Sequence, residues 1–155
     1  MTHEEFARQV VEMQDTLYHV SATLLRRECD REDAVQEAIA TALTKLTALR
    51  EKRAFPAWII RILINECYTM LRRKKREILV ETLPEQANTQ AEEESLYDLF
   101  LKLEERYRLP MVLHYVEGYS LQEVAQILRR PEGTIKTQLL RGRRILKTLR
   151  DEEEK

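Results

Sequence analysis

Glycine, proline and cysteine are scarce in this chain of 155 residues, which contains three glycines, four prolines and two cysteines. Because glycine and proline dominate turns and interrupt helices, their scarcity argues against an architecture rich in strands and tight turns. Alanine, leucine, glutamate and arginine are plentiful, and this composition favours helices. Hydrophobic residues make up 43% of the chain, enough to bury a core. We therefore expect an all-α protein.

Long apolar runs and clustered cysteines are also missing. No stretch reaches the roughly 18 consecutive apolar residues of a membrane span, and the first ten residues are too acidic and polar for a signal peptide. Cys29 and Cys67 are far apart and belong to no CxxC motif, which favours two reduced thiols over a disulfide or a metal site. The chain also lacks a phosphate-binding glycine loop and a nucleophile motif. We expect a soluble, cytoplasmic protein that is not an enzyme and has no catalytic residue, metal or cofactor.

Charge is unevenly distributed, although the net charge is only −1. Residues 48–76 contain nine basic and two acidic side chains, and residues 129–150 contain eight and one. The intervening residues 77–128 contain three basic and eleven acidic side chains. Salt screens charges beyond about 8–10 Å, so each block acts locally. The pattern predicts two contacts with a polyanion. The alternative is that both basic blocks are solvated helix faces. The opposite charges of the basic blocks and the acidic residues between them also favour a closed form of the two halves.

Three helices are predicted in the N-terminal half. Apolar residues at alternating spacings of three and four predict a helix over about residues 3–28. Asp30 is a candidate N-cap of a second helix, because acidic residues follow it in the first turn. Pro56 is acceptable in the first turn of a third helix that runs to about residue 77. The apolar stripe of the second helix comprises Val35, Ile39, Ala42, Leu46 and Leu49.

The segment 79–93 separates two parts of the chain. It has no apolar periodicity, contains Pro84 and carries no basic residue. We therefore predict two helical domains, residues 1–78 and residues 94–155, joined by a flexible linker over 79–93. In the second domain, the segment LPMVLHYVEG predicts a short helix that is opened by Pro110 and ended by Gly118.

A helix-turn-helix is predicted near the C-terminus. Ser120 and Glu123 form a capping box before the short helix SLQEVAQIL, the turn RRP follows, and a longer basic helix comes next. The polar face of that helix carries side chains that hydrogen-bond base edges or neutralise phosphates. The alternative is a helical hairpin that packs on another protein. The predicted contacts with duplex DNA are Arg130, Thr134, Lys136, Thr137, Gln138, Arg141 and Arg144.

The first basic block has a different character. Trp58, Arg61 and Asn65 share one helix face, which Tyr68 extends, and the cationic segment LRRKKR follows. An aromatic ring, a guanidinium and an amide beside a cationic end suit unstacked bases of single-stranded DNA. Trp58 is equally interpreted as a core anchor, and Tyr68 is as readily core as contact.

Two segments resemble parts of bacterial sigma factors. REDAVQEAIATAL followed by FPAWIIRILINECYTMLRRKKR is similar to region 2, and YSLQEVAQILRRPEGTIKTQLLRGRRIL is similar to region 4. The length and the absence of a third domain resemble the extracytoplasmic-function group. The resemblance implies a sigma factor that binds the β and β′ subunits of RNA polymerase core and directs promoter recognition, strand opening and transcription initiation. An anti-sigma factor is a further candidate partner.

The resemblance also implies site residues. The family's core-binding motif falls on Asp33, Gln36 and Glu37, three polar residues on one helix face that make an acidic patch suited to a basic partner. The predicted contacts with the single-stranded −10 element are Phe55, Trp58, Arg61, Asn65, Arg72 and Arg73. The family's recognition helix, which reads the −35 element as duplex, falls on residues 132–144.

Two departures from the family's pattern lie in the helix-turn-helix. The usual glycine of the turn is replaced around Arg129, so a left-handed backbone there would be strained. Gly142 replaces the usual alanine after the recognition-helix arginine. The alternative function is a helix-turn-helix transcriptional regulator that binds duplex DNA without acting as a polymerase subunit. Such a regulator would need neither the acidic patch nor the Trp58 face.

Overall fold

The computed structural model describes residues 1–80 and 96–153, and within these ranges the chain is helical without strands. The all-α expectation is therefore confirmed. Short 3₁₀ turns at Leu46–Ala48 and Lys52–Ala54 precede α4, and a π-helical turn at Val112–Val116 follows α6. The helices are α1 (His3–Glu12), α2 (Gln14–Leu24), α3 (Glu28–Thr44), α4 (Phe55–Val80), α5 (Leu96–Leu101), α6 (Glu105–Met111), α7 (Leu121–Leu128) and α8 (Glu132–Glu153).

The predicted first helix is two helices. The backbone leaves helical geometry at Met13 (φ −97°, ψ 5°), and α2 ends at Leu24 rather than at residue 28. Leu25 is extended, and its carbonyl accepts a hydrogen bond from Arg31 Nε at 2.7 Å. Arg31 also donates to the Arg26 carbonyl at 3.2 Å. The side chain of a residue in α3 therefore supplies hydrogen-bond donors to two backbone carbonyls of a loop that was predicted to be helical.

The second helix also differs from its prediction. It begins at Glu28 rather than after Asp30, whose carboxylate forms an ion pair with Lys74 of α4 instead of capping a helix. It ends at Thr44 rather than at Leu49. Its buried residues are Ala34, Ala38 and Ala42. Ala42 belongs to the predicted apolar stripe, as does Leu46, which is buried just beyond the helix, but Val35 and Ile39 are only half-buried and Ala34 and Ala38 take their place in the core. Small alanine side chains let α3 approach α4 closely, and packing against α4 therefore decides the register.

Helix α4 is the central element of the N-terminal half. It packs against α2 and α3 and buries Phe55, Ile59, Ile60 and Leu63 completely. Cys67 lies on the same buried side, and burial raises the pKa of its thiol to about 12. This thiol is therefore protonated at neutral pH and behaves as a small core residue.

Pro110 has a different place from the one predicted. It is the sixth residue of α6, which begins at Glu105, rather than the residue that opens the helix. Because proline has no N–H, the Arg106 carbonyl loses its helical donor, and Arg130 Nη1 donates to it at 3.4 Å. The chain then widens into the π-helical turn, and Gly118 (φ 79°) ends it as predicted.

The predicted helix-turn-helix is confirmed as α7 and α8. Ser120 and Glu123 form the capping box, with both hydrogen bonds at 3.1 Å. Arg129 occupies the left-handed region (φ 54°), as expected of a residue that stands where glycine is usual. Gly142 is needed for close approach, since a Cβ atom there would lie 3.1 Å from Cγ and Sδ of Met111 on α6.

The two halves pack against each other. Helix α4 contacts α7, and α2 contacts both α6 and the π-helical turn. One continuous cluster of buried residues extends from Phe6 in α1 to Leu139 in α8. Most of the predicted linker 79–93 lies outside the described residues, as does residue 94, the predicted start of the second domain. The predicted domain bounds therefore stay predictions.

The left-handed turn predicts a stabilising substitution. Arg129→Gly removes the side-chain clash at φ 54°, so we expect the free energy of unfolding in urea to rise by about 0.5–1 kcal/mol. The matched control is Arg143→Gly, which removes an equally exposed arginine from inside α8 and should lower that energy by about 1 kcal/mol. Equal losses in both variants would contradict the assignment of strain.

Candidate nucleic-acid interface

The exposed face of α8 carries most of the predicted duplex contacts. Thr134, Lys136 and Thr137 are exposed near its N-terminus, and Arg141 follows one turn later. Ile135 and Leu139 on the opposite side are buried, so the core fixes the rotation of the helix. Arg144 extends the same exposed surface by another turn. Thr134, Thr137, Arg141 and Arg144 thus present donors and cations along one face of a rigid helix, with Lys136 on its flank, as reading a major groove requires.

Two of the predicted duplex contacts are engaged within the protein. Arg130 and Gln138 are half-buried, and Arg130 Nη1 donates to Gln138 Oε1 at 3.1 Å. The same guanidinium donates to the Arg106 carbonyl that Pro110 leaves without a donor. Arg130 therefore ties the turn before α8 to α6.

An open cleft beside α8 contains a cation that sequence reasoning missed. Arg106 and Tyr107 of α6 line this cleft together with Thr134, Thr137 and Arg141 of α8. The Arg106 guanidinium lies 4.8 Å from the centre of the Tyr107 ring. No periodic pattern could indicate this position, because only the packing of α6 on α8 brings Arg106 beside the recognition helix.

Phe55 is placed differently from its prediction as a DNA contact. Its side chain is completely buried, with its ring edge-on to Phe6 at 5.7 Å and tilted against Trp58 at 6.0 Å between centroids. In this conformation Phe55 cannot contact DNA, because it anchors the first turn of α4 in the core. Trp58 is half-buried and packs on that core, which agrees with its interpretation as a core anchor, and its contact with DNA stays a prediction.

Arg61 contacts the C-terminal half. Its Nε donates to the Ile127 carbonyl at 3.3 Å, and its Nη2 donates to the Gln126 carbonyl. These carbonyls lie at the C-terminus of α7, where helical carbonyls lack intrahelical donors and carry partial negative charge. Burial and the nearby Arg129 guanidinium lower the pKa of Arg61. Two like charges thus lie side by side where the halves meet.

The remaining residues of the α4 face divide into two groups. Asn65, Arg72 and Arg73 are exposed, and Arg72 Nη2 donates to the Thr69 hydroxyl at 3.2 Å. Tyr68 is half-buried, and burial together with a hydrogen bond to Glu105 of α6 raises the pKa of its phenol. The C-terminal half therefore covers the middle of this face and leaves its cationic end open.

The acidic patch lies on α3. Asp33, Gln36 and Glu37 are all exposed, and Ala34 and Ala38 between them are buried against α4. The three side chains thus project from a rigid helix and take no part in its packing against α4. The carboxylates of Asp33 and Glu37 are available to a basic surface.

Neither a metal site nor a membrane-spanning helix is found among the described residues. Residues 1–80 and 96–153 contain no group of three or more histidine, cysteine or acidic side chains placed to hold a metal ion. No helix in the same ranges has the length and apolar character needed to cross a membrane.

Comparison with known proteins identifies the family. Residues 10–77 match the model of sigma-70 region 2, and residues 93–146 match that of sigma-70 region 4. The chain is 31% identical over 169 residues to the ECF RNA polymerase sigma factor SigW of Bacillus subtilis, covering 96% of this chain and 90% of that protein. It is also 31% identical over 154 residues to the sigma-E factor of Streptomyces coelicolor, covering 96% and 85%.

Solved structures share the fold. The sigma factor RpoE of Bartonella quintana, in complex with the anti-sigma factor NepR, superposes with a TM-score of 0.81 at 23% identity, covering 96% of this chain and 98% of that one. CnrH, in complex with the cytosolic domain of CnrY, gives 0.72 at 24% identity, covering 94% and 87%. The chain belongs to the extracytoplasmic-function group of sigma-70 family RNA polymerase sigma factors. It is therefore a transcription initiation factor whose partners are RNA polymerase core and promoter DNA. The alternative function, a transcriptional regulator that binds duplex DNA without acting as a polymerase subunit, is rejected.

The contacts of Arg130 predict a mixed phenotype. Arg130→Ala should lower the free energy of unfolding by about 1 kcal/mol, because it removes the donor to the Arg106 carbonyl and to Gln138. Arg144→Ala, which removes an exposed cation from α8, should leave stability within about 0.5 kcal/mol of wild type. Urea unfolding measures both values, and equal stability of the two variants would remove Arg130 from the packing of the turn.

Proposed function

We propose that the two domains divide promoter recognition between them. Residues 1–78 bind RNA polymerase core and the melted −10 element, and residues 94–155 bind the −35 element as duplex, with 79–93 as the linker. The observation that carries this proposal is the exposed row of donors and cations on α8 within a confirmed helix-turn-helix. An unrelated solvated helix would have no reason to combine a capped support helix, a left-handed turn and a cationic outer face.

On the −35 duplex, the N-terminal part of α8 would enter the major groove. Thr134, Lys136 and Thr137 lie nearest that end and would meet base edges, with Arg141 one turn further along. Arg144 would contact a phosphate. Gln138 and Arg130 support the turn in the free protein through their mutual hydrogen bond.

On the −10 strand, the cationic end of α4 would follow the backbone. Arg72 and Arg73 are exposed and suit phosphates, and Asn65 supplies an amide one to two turns earlier. Trp58 and Arg61 would meet unstacked bases, while Phe55 supports Trp58 from the core. Extruding a base costs a few kcal/mol, so a stacking surface beside cations is the chemistry that strand opening requires.

The protein supplies binding rather than bond-making. We propose that it has no catalytic activity of its own and that polymerase carries out nucleotide addition. We propose that the protein acts in the cytoplasm, where the chromosome and polymerase are. Binding of an anti-sigma factor stays a prediction for this chain.

The acidic patch predicts selective loss of polymerase binding. Asp33→Ala combined with Glu37→Ala should weaken binding to RNA polymerase core by about tenfold or more, because two carboxylates facing a basic surface are lost. Binding to duplex DNA should not change. The matched control, Glu12→Ala combined with Asp15→Ala, removes the same charge from exposed positions on α1 and α2. Unchanged affinity of the patch variant for core would contradict the assignment.

The recognition surface predicts a loss of sequence preference. A duplex is first selected from a random library with the wild-type protein, and binding is then compared at matched salt. Lys136→Ala and Arg141→Ala should each weaken binding to this duplex by about tenfold, as loss of one base contact does. Lys147→Ala removes an exposed cation further along α8 and should reduce only the salt-dependent, sequence-independent part of the binding free energy. A tenfold loss of binding in Lys147→Ala, with no loss in Lys136→Ala or Arg141→Ala, would contradict the assignment of Lys136 and Arg141 as base contacts.

A further inference from the structure

The exposed face of α8 carries an apolar side chain among its cations and hydroxyls. Leu140 is 41% exposed, and it lies outside the cluster of buried residues and outside the side chains packed against that cluster. An apolar side chain stabilises a fold where it is removed from water, so Leu140 contributes little to the stability of the free protein. Scattered exposed leucines are common on protein surfaces, and the position of this one therefore decides its meaning.

The rotation of α8 turns Leu140 away from the protein core. Each residue of an α-helix advances by about 100° around the axis. Gly142, where α8 closely approaches Met111 of α6, lies two residues further on and therefore about 160° from Leu140 around the axis. Leu140 thus projects from the side of α8 opposite its contact with α6.

Polar side chains surround Leu140 on the surface of α8. Residues three and four positions apart are neighbours on a helix. At these spacings Leu140 has four exposed neighbours, which are Lys136, Thr137, Arg143 and Arg144. Leu140 fills the gap between Lys136 on one flank and Thr137 and Arg144 on the face. Three of its four neighbours are thus residues that we propose as contacts with DNA.

This isolation argues against a docking surface for another protein. Protein interfaces contain an apolar core in which several side chains are buried together, and charged residues are depleted there. Ile145, another large apolar side chain that α8 exposes, is 39% exposed but lies about 140° from Leu140 around the axis. Leu140 and Ile145 therefore do not form one apolar patch.

The major groove of DNA contains an apolar group that matches Leu140. Base edges in this groove present hydrogen-bond donors and acceptors, and thymine adds its C5-methyl group. Contact between leucine and this methyl group removes apolar surface from water on both sides. The polar atoms of other base edges would lose water to Leu140 without gaining a hydrogen bond. A leucine among groove-reading residues therefore favours thymine.

We propose that Leu140 is a specificity-determining residue that contacts the C5-methyl group of a thymine in the duplex bound by α8. This inference rests on the proposed reading of the −35 element by α8 and deepens it by naming a base. Leu140 lies four residues beyond Lys136, or about 6 Å along the helix axis, a distance of about two base pairs. The thymine should therefore lie within about two base pairs of the position that Lys136 reads.

The test removes the methyl group from the DNA. The complex of wild-type protein with RNA polymerase core selects promoter duplexes from a random library. Each thymine on either strand of the upstream (−35) element is then replaced singly by deoxyuridine, which pairs as thymine does and lacks only the methyl group. We expect one replacement to weaken binding of the wild-type complex about fourfold, as loss of one buried methyl group does.

The matching change removes the side chain from the protein. Leu140→Ala should weaken binding to the unmodified duplex by about fourfold or more, and the deoxyuridine replacement should then cause no further loss, because both changes remove the same contact. The matched control is Ile145→Ala, which removes a similarly exposed aliphatic side chain from another side of α8 and should keep the wild-type response to every replacement. Circular dichroism checks that both variants are folded, as expected for exposed positions.

The outcomes separate the possible roles of Leu140. An upstream element without thymine, or a wild-type complex that is insensitive to every replacement, would overturn the inference without the use of any variant. A thymine response that persists in folded Leu140→Ala would also overturn it. If that variant in addition bound core more weakly without DNA, Leu140 would be a protein contact instead. Failure of the wild-type complex to select any upstream element would reject the proposed function itself, before any variant is compared.

Discussion

The burial of α4 on two sides is the interaction on which the rest of the structure depends. One side places Phe55, Ile59 and Leu63 against α2 and α3 and thereby builds the N-terminal half. Another side meets α7, where Arg61 reaches the last carbonyls of that helix. The helix proposed to bind melted DNA is therefore also the helix that holds the halves together. Packing of the halves and the proposed binding of melted DNA therefore use the same helix.

Local charge, rather than net charge, explains how a chain of net charge −1 can bind a polyanion. The α8 cations remain exposed on a helix whose rotation is fixed by Ile135 and Leu139. Arg61 and Arg129 come close together in the compact form, where burial and mutual repulsion lower the pKa of Arg61. Helix-terminal carbonyls offset that repulsion in the free protein. Phosphates would offset it in the complex with DNA.

Local signals in the sequence were sufficient for the helix-turn-helix. The Ser120 capping box and the left-handed Arg129 depend on neighbouring residues alone, and the structure confirms both. Features decided by distant residues could not be predicted in the same way. Asp30 pairs with Lys74 of α4 instead of capping its helix, and the register of α3 follows its alanines because α4 lies close to them. Contacts across the two halves, such as Arg61 with α7, have no local signature at all.

We propose that the protein directs RNA polymerase to promoters through two DNA-binding surfaces. The most direct measurement is initiation by purified protein and core polymerase on a library of genomic promoter fragments, with start sites mapped by sequencing. We expect discrete start sites, each preceded by the same pair of sequence elements at constant spacing. Start sites no different from those of core polymerase alone would contradict it.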